Sequence, residues 1–201
     1  MSRLIAEPAP SSITPSSSPL TITKGRLLAA RVVSSPNFNE RPQGEDDIDL
    51  LVIHNVSLPP EQFGGDYIED FFCNQLDENV HPYFKTIADL QVSAHLLITR
   101  EGEIIQFVPF GARAWHAGRS YFNGREECND YSIGIELEGA DTIAYTDTQY
   151  RVLADVTHAI LHYYPRITKE RIVGHSEIAP TRKTDPGEAF NWTRYFELLE
   201  S

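Results

Sequence analysis

The run LLVIHN, residues 50–55, decides how the rest of the chain is read. Leu50 to Ile53 are continuously apolar over a length suited to a strand, a pattern that predicts a strand covered on both faces. His54 and Asn55 then stand where a buried strand emerges, and sheet folds hold ligand sites on the loops beyond such strand ends.

Working outward, residues 92–99 and 103–108 are β-rich runs separated by Arg100-Glu101-Gly102, which reads as a hairpin turn. SIGIELE, residues 132–138, alternates. Ile133, Ile135 and Leu137 should face one way, with Ser132, Gly134, Glu136 and Glu138 on the other, polar face, which in such alternation is more commonly the wet one. From Asp147 to Tyr164 the spacing of Val152, Val156, Ala159, Ile160 and Tyr163 predicts an amphipathic helix ended by Pro165. Shorter helices are expected over 66–73 and 192–199. Strands interleaved with helices imply a single α/β domain, and the antiparallel hairpin makes its central sheet mixed.

Residues 8–19, PAPSSITPSSSP, cannot bury enough apolar surface to offset the entropy of ordering. A disordered Ser/Pro-rich arm is therefore expected over 1–23 and a folded domain over 24–201. The formal net charge of −12 leaves no electrostatic footprint for nucleic acid. No stretch approaches the roughly 20 apolar residues of a membrane span, and Leu4 to Ala6 is too short for a signal peptide, so a cytoplasmic protein is expected. Cys73 and Cys128 are too few for a disulfide scaffold.

Among the histidines, His158 and His162 have the i,i+4 spacing of a zinc pair. They fall opposite the apolar stripe, and Ala159 stands where a catalytic glutamate would be, so they read as solvated surface. His81 precedes a proline in a loop without a nearby co-ligand. His54, His175 and Asp185 make a better set: two imidazoles and one carboxylate suit zinc, with a fourth position left for water. Spacing alone leaves open both a zinc site and satisfied polar residues in ordinary loops. Glu136 and Glu138 are both candidate bases, and Lys183 could bring an ammonium to the same pocket.

Five motifs occur together: LLVIHNVSLPP (50–60), VSAHLLITREGEIIQFVPF (92–110), RAWHAG (113–118), CNDYSIGIELEG (128–139) and GHSEIAPTRKTDPG (174–187). In this order they closely resemble the cytoplasmic 1,6-anhydro-N-acetylmuramyl-L-alanine amidases of the AmpD type, over about residues 28–198. The resemblance implies a mixed sheet flanked by helices, of the kind shared with peptidoglycan recognition proteins. It implies zinc-dependent cleavage of the amide between the lactyl group of anhydro-N-acetylmuramic acid and L-alanine in cell-wall recycling. By position, His54, His175 and Asp185 match the zinc ligands, Glu136 the catalytic base, and Lys183 the transition-state stabiliser. Asn55 and Trp115 match substrate contacts, while His95 and His116 either line the cleft or serve the fold.

The implied partner is a small soluble anhydro-muropeptide as substrate, with neither nucleic acid nor membrane, and the chain is expected to be monomeric. Gln91 and Glu127 occupy places where some relatives carry arginine, the natural partner for a substrate carboxylate. Two rival readings remain on the same fold. A non-catalytic muropeptide-binding module predicts a broken ligand set, which is intact here. A broad amidase of the envelope is disfavoured by the absence of a signal segment and by the acidic charge.

Overall fold

The computed structural model describes residues 19–201. Six strands form the main sheet: β1 (Arg31–Val32), β2 (Leu50–Val56), β3 (Leu96–Ile98), β4 (Ile104–Gln106), β5 (Ser132–Glu138) and β6 (Ile172–Gly174). Their spatial order is β6-β2-β5-β3-β4-β1. The LLVIHN run is β2, which lies between β6 and β5 and parallel to both. Only β3 and β4 pair antiparallel within this sheet, so it is mixed, as expected.

Burial of β2 on both faces follows from what covers each side. Leu51 and Ile53 join Ile133, Ile135 and Leu137 in a core shared with α2 (Asp147–Tyr163) and α4 (Trp192–Leu199). Leu50 and Val52 point the opposite way, into a cluster with Ala117, Tyr131 and Ile178. Alternation therefore sends His54 and Glu136 to the face away from α2 and α4.

Several local expectations need correction. Strands β3 and β4 are shorter than 92–99 and 103–108, and Ser93 donates its N–H to the carbonyl of Trp115 instead of to a strand partner. In α2 the buried stripe runs through Tyr150, Leu153, Val156 and Ile160, whereas Tyr163, the last residue of the helix, is 40% exposed. The helix starts where the sequence supplies a capping box, with Thr146 and Gln149 each accepting from the other's backbone N–H, a device worth about 1 kcal/mol. Helix α1 spans Tyr67–Phe72, inside the expected range. Residues 1–18 of the expected arm lie outside the described residues. Ile22 and Thr23, at its end, pair with Arg26–Leu27, so the boundary at 24 falls inside a hairpin. Cys73 and Cys128 are both free thiols. Among the described residues no helix is long and apolar enough to cross a membrane.

Glu138 is not on a wet face. It is buried, and its carboxylate accepts from the backbone N–H groups of Gly64 and Arg100. One glutamate thereby ties the 57–65 loop to the β3–β4 turn, which removes it from the pool of candidate bases. Glu138→Gln leaves one acceptor oxygen and turns an NH2 toward the second N–H. It is expected to cost about 1–3 kcal/mol in chemical denaturation, and an unchanged midpoint would show that the tie contributes nothing.

Candidate active site

The site is assembled by strand register. Across β2 and β5, Glu136 stands opposite His54, and β6 places Gly174 beside Ile53. His175 is therefore the first residue off the end of the sheet, at the start of α3 (His175–Ile178). The carboxyl ends of parallel strands are where such sheets hold ligands.

Asp185 returns to His175 because the intervening loop is closed on itself. The Ser176 N–H donates to the carbonyl of Asp185 at 3.0 Å, and that of Lys183 to Ala179 at 3.0 Å. Gly187 has φ +81°, and a Cβ there would lie 2.1 Å from Cα of Asp141. Only glycine lets the loop pass so close to its neighbour. Arg182 donates to the carbonyls of Ala117 and Arg119.

Nδ1 of His54 lies 3.0 Å from Nδ1 of His175 and 3.1 Å from Oδ2 of Asp185, and the last two are 3.0 Å apart. Nε2 of His175 faces the Ala117 carbonyl at 3.0 Å. A carbonyl can only accept, so Nε2 carries the proton and Nδ1 of the neutral ring presents a lone pair. Burial also keeps His54 neutral, lowering its pKa to about 4 against the opposing contact with Asp185. Two imidazole nitrogens and a carboxylate oxygen thus converge as acceptors at a nearly dry point. That donor set fits a divalent cation, zinc above all.

Glu136 adds a second carboxylate to the site. Burial, then the charge of Asp185, pushes its pKa up to about 8, while Lys183 acts in the opposite direction. Its Oε2 is buried and has no hydrogen-bond partner. A satisfied structural glutamate such as Glu138 differs in that respect.

His54, Asn55, Trp115, Glu136, His175, Lys183 and Asp185 all line one cavity of about 500 Å³. Residues from four separate motifs are thereby brought together. Trp115 is half-buried and donates its indole N–H to Asn39 at 2.7 Å, leaving the ring in the cavity wall instead of in the core. Both amide hydrogens of Asn55 are spent internally, on Asp141 and the Pro186 carbonyl. His116 lines the cavity, whereas His95 does not: it is fully buried and accepts from the Gly134 N–H. His158 and His162 are exposed on α2, as expected.

The family model for N-acetylmuramoyl-L-alanine amidases matches residues 44–188. The chain belongs to the N-acetylmuramoyl-L-alanine amidase family. The amidase is 56% identical to 1,6-anhydro-N-acetylmuramyl-L-alanine amidase AmpD of Haemophilus influenzae, over 89% of this chain and 97% of that protein. It is likewise 56% identical to AmpD of Escherichia coli, over 90% of this chain and 97% of the relative. These matches make it an AmpD-type amidase. A crystal structure of a selenomethionine AmpD derivative superimposes with a TM-score of 0.87 at 54% identity, covering 90% of this chain and 99% of that one. The Escherichia coli amidase AmiD, in complex with anhydro-N-acetylmuramic acid-L-Ala-D-γ-Glu-L-Lys, matches with a TM-score of 0.56 at 28% identity, over 89% of this chain and 65% of that one.

Neither Gln91 nor Glu127 is among the residues lining the amidase cavity, and Glu127 lies 3.6 Å from Arg113 instead. Sequence reasoning missed Asp141, which lines the cavity and holds Asn55. Nothing in its local pattern, GADTI, distinguishes it from a loop aspartate.

Proposed function

We propose that this amidase is a zinc enzyme of cytosolic cell-wall recycling. It hydrolyses the amide between the lactyl group of 1,6-anhydro-N-acetylmuramic acid and L-alanine in small anhydro-muropeptides. The observation that carries the reading is a convergence: three acceptor atoms within 4.8 Å of one another share a cavity with an unpartnered glutamate and a lysine.

His54, His175 and Asp185 would hold the zinc. When bound, zinc supplies Lewis-acid polarisation of the scissile carbonyl and acidification of water. Glu136 is the general base: its free Oε2 takes the proton of the attacking water and returns it to the leaving amine of alanine. Lys183 places its ammonium where negative charge develops on the carbonyl oxygen. Trp115 offers a flat apolar face to the sugar ring, and Asn55 contributes its amide oxygen, the one polar atom it has not spent on Asp141 and Pro186.

The reading is tested by following release of stem peptide from anhydro-muropeptide and, in parallel, from intact sacculi. Cleavage of the soluble fragment at a far higher kcat/KM is expected, and equal or better cleavage of sacculi would move the enzyme to polymeric wall. A second expectation concerns pH. Lys183 favours the ionised form of Glu136, so Lys183→Met should raise that carboxyl's pKa. A base works only when deprotonated, so the acidic limb of the kcat profile should shift to higher pH in addition to a fall in kcat. A limb that stays in place would separate the lysine from the base.

A further inference from the structure

His54 has a second nitrogen, and the mechanism above gives it no task. Its Nε2 lies 2.9 Å from Nδ1 of His116, with the two rings edge to face. On the far side of His116, Nε2 is 3.2 Å from Oγ of Ser132, and that oxygen is 2.6 Å from the Cys128 carbonyl. All of these groups are buried.

Two proton arrangements satisfy this row, and they run in opposite senses. In one, the Ser132 hydroxyl donates to His116, which donates to His54, whose proton then sits on Nδ1 where a metal ligand needs a lone pair. In the other, Ser132 donates to the Cys128 carbonyl and accepts from Nε2–H of His116. Nδ1 of His116 then accepts from Nε2–H of His54, and Nδ1 of His54 is left bare. The short contact from Ser132 to a carbonyl that can only accept selects the second arrangement.

The backbone of the same segment serves the other histidine ligand. The N–H groups of His116 and Ala117 both donate to Oδ1 of Asn129, at 3.1 and 2.8 Å. So fixed, the Ala117 carbonyl receives the proton of His175. The His116 ring lies flat on β5 at Gly134, where a Cβ would come within 2.5 Å of its Cγ. The absent side chain makes room for the ring between the sheet and His54.

We propose that His116 is a positioning residue of the metal centre: anchored by Ser132, it holds His54 as the Nε2–H tautomer and aims Nδ1 at the metal. Partners of this kind tune affinity by about 10–100-fold. The inference rests on His54 being a zinc ligand, as proposed above.

The test compares His116→Leu with His116→Asn. The two side chains are close in size and leave the same gap, but only asparagine can accept from His54 near the original Nδ1 position. Zinc affinity, measured by chelator competition on the purified protein, should fall roughly 10–100-fold in the leucine variant and only a few-fold in the asparagine variant. Equal losses in the two, or no loss in either, would overturn the relay. In the zinc-loaded native protein, 15N NMR should find His116 protonated at Nε2 with Nδ1 accepting. Protonation at Nδ1 would overturn the relay even if neither variant folds. Failure of the native protein to bind zinc would instead sink the metal reading itself, so the two failures are distinguishable.

Discussion

Stripping zinc from the purified amidase with a chelator should abolish amide hydrolysis, and one equivalent of zinc should restore it. The expectation follows from the charges and lone pairs at the end of β2 and β6. Asp185 is 9% exposed, His175 and His54 less, and their three facing atoms are acceptors. Without a cation, Glu136 and Lys183 keep their places but lack a polarised carbonyl to act on. Stability should follow activity. Zinc at a thousand times its Kd favours the folded state by about 4 kcal/mol, so removal should lower the thermal midpoint by on the order of 10 °C in a chain of this size. Activity that survived complete metal removal would overturn the mechanism, and an unchanged midpoint would show that zinc is not held by the folded state.

How much of this was legible before the structure depended on the kind of pattern involved. The uniform run Leu50–Ile53 announced a central strand because covering both faces leaves no room for polar alternation, and β2 does lie between β6 and β5. Period-two alternation in SIGIELE correctly separated Ile133, Ile135 and Leu137 from Glu136 and Glu138. It could not say that the second face was covered too. Loops from distant parts of the chain close over it, and a polar residue under a loop has the same spacing as one in water. Glu136 and Glu138 therefore looked equivalent, although one is satisfied by two backbone N–H groups and the other has a bare oxygen. Only the motif resemblance told them apart. The candidate metal ligands were visible as residue types, but His54 and Asp185 are 131 residues apart. Their meeting depends on a parallel register that no local signal encodes. Gly134 shows the same limit: in sequence it is a weak point in a strand, and in space it is the seat of a histidine ring.

Glu136→Ala is expected to lower kcat by roughly 10²–10⁴ without lowering stability, and the pairing of those two outcomes is what identifies a base. Most buried polar side chains lose stability on truncation because a partner is left unsatisfied. Oε2 of Glu136 has no such partner. Burial raises its pKa from 4.5 to about 8 in the folded protein, so folding at neutral pH must protonate a carboxyl that is ionised in the unfolded chain. The sign is therefore unfavourable: the penalty is absent below about pH 4.5 and grows as pH rises toward 8. In the metal-free protein at pH 7 the alanine variant should unfold at the same temperature as the native chain or higher, and the difference should vanish in acid. Zinc content of the loaded variant should be unchanged, since Glu136 is not among the three converging ligands. A fall in kcat accompanied by lost zinc or a lower midpoint would assign Glu136 to the architecture of the site. Near-native turnover with zinc bound would remove it from the mechanism altogether.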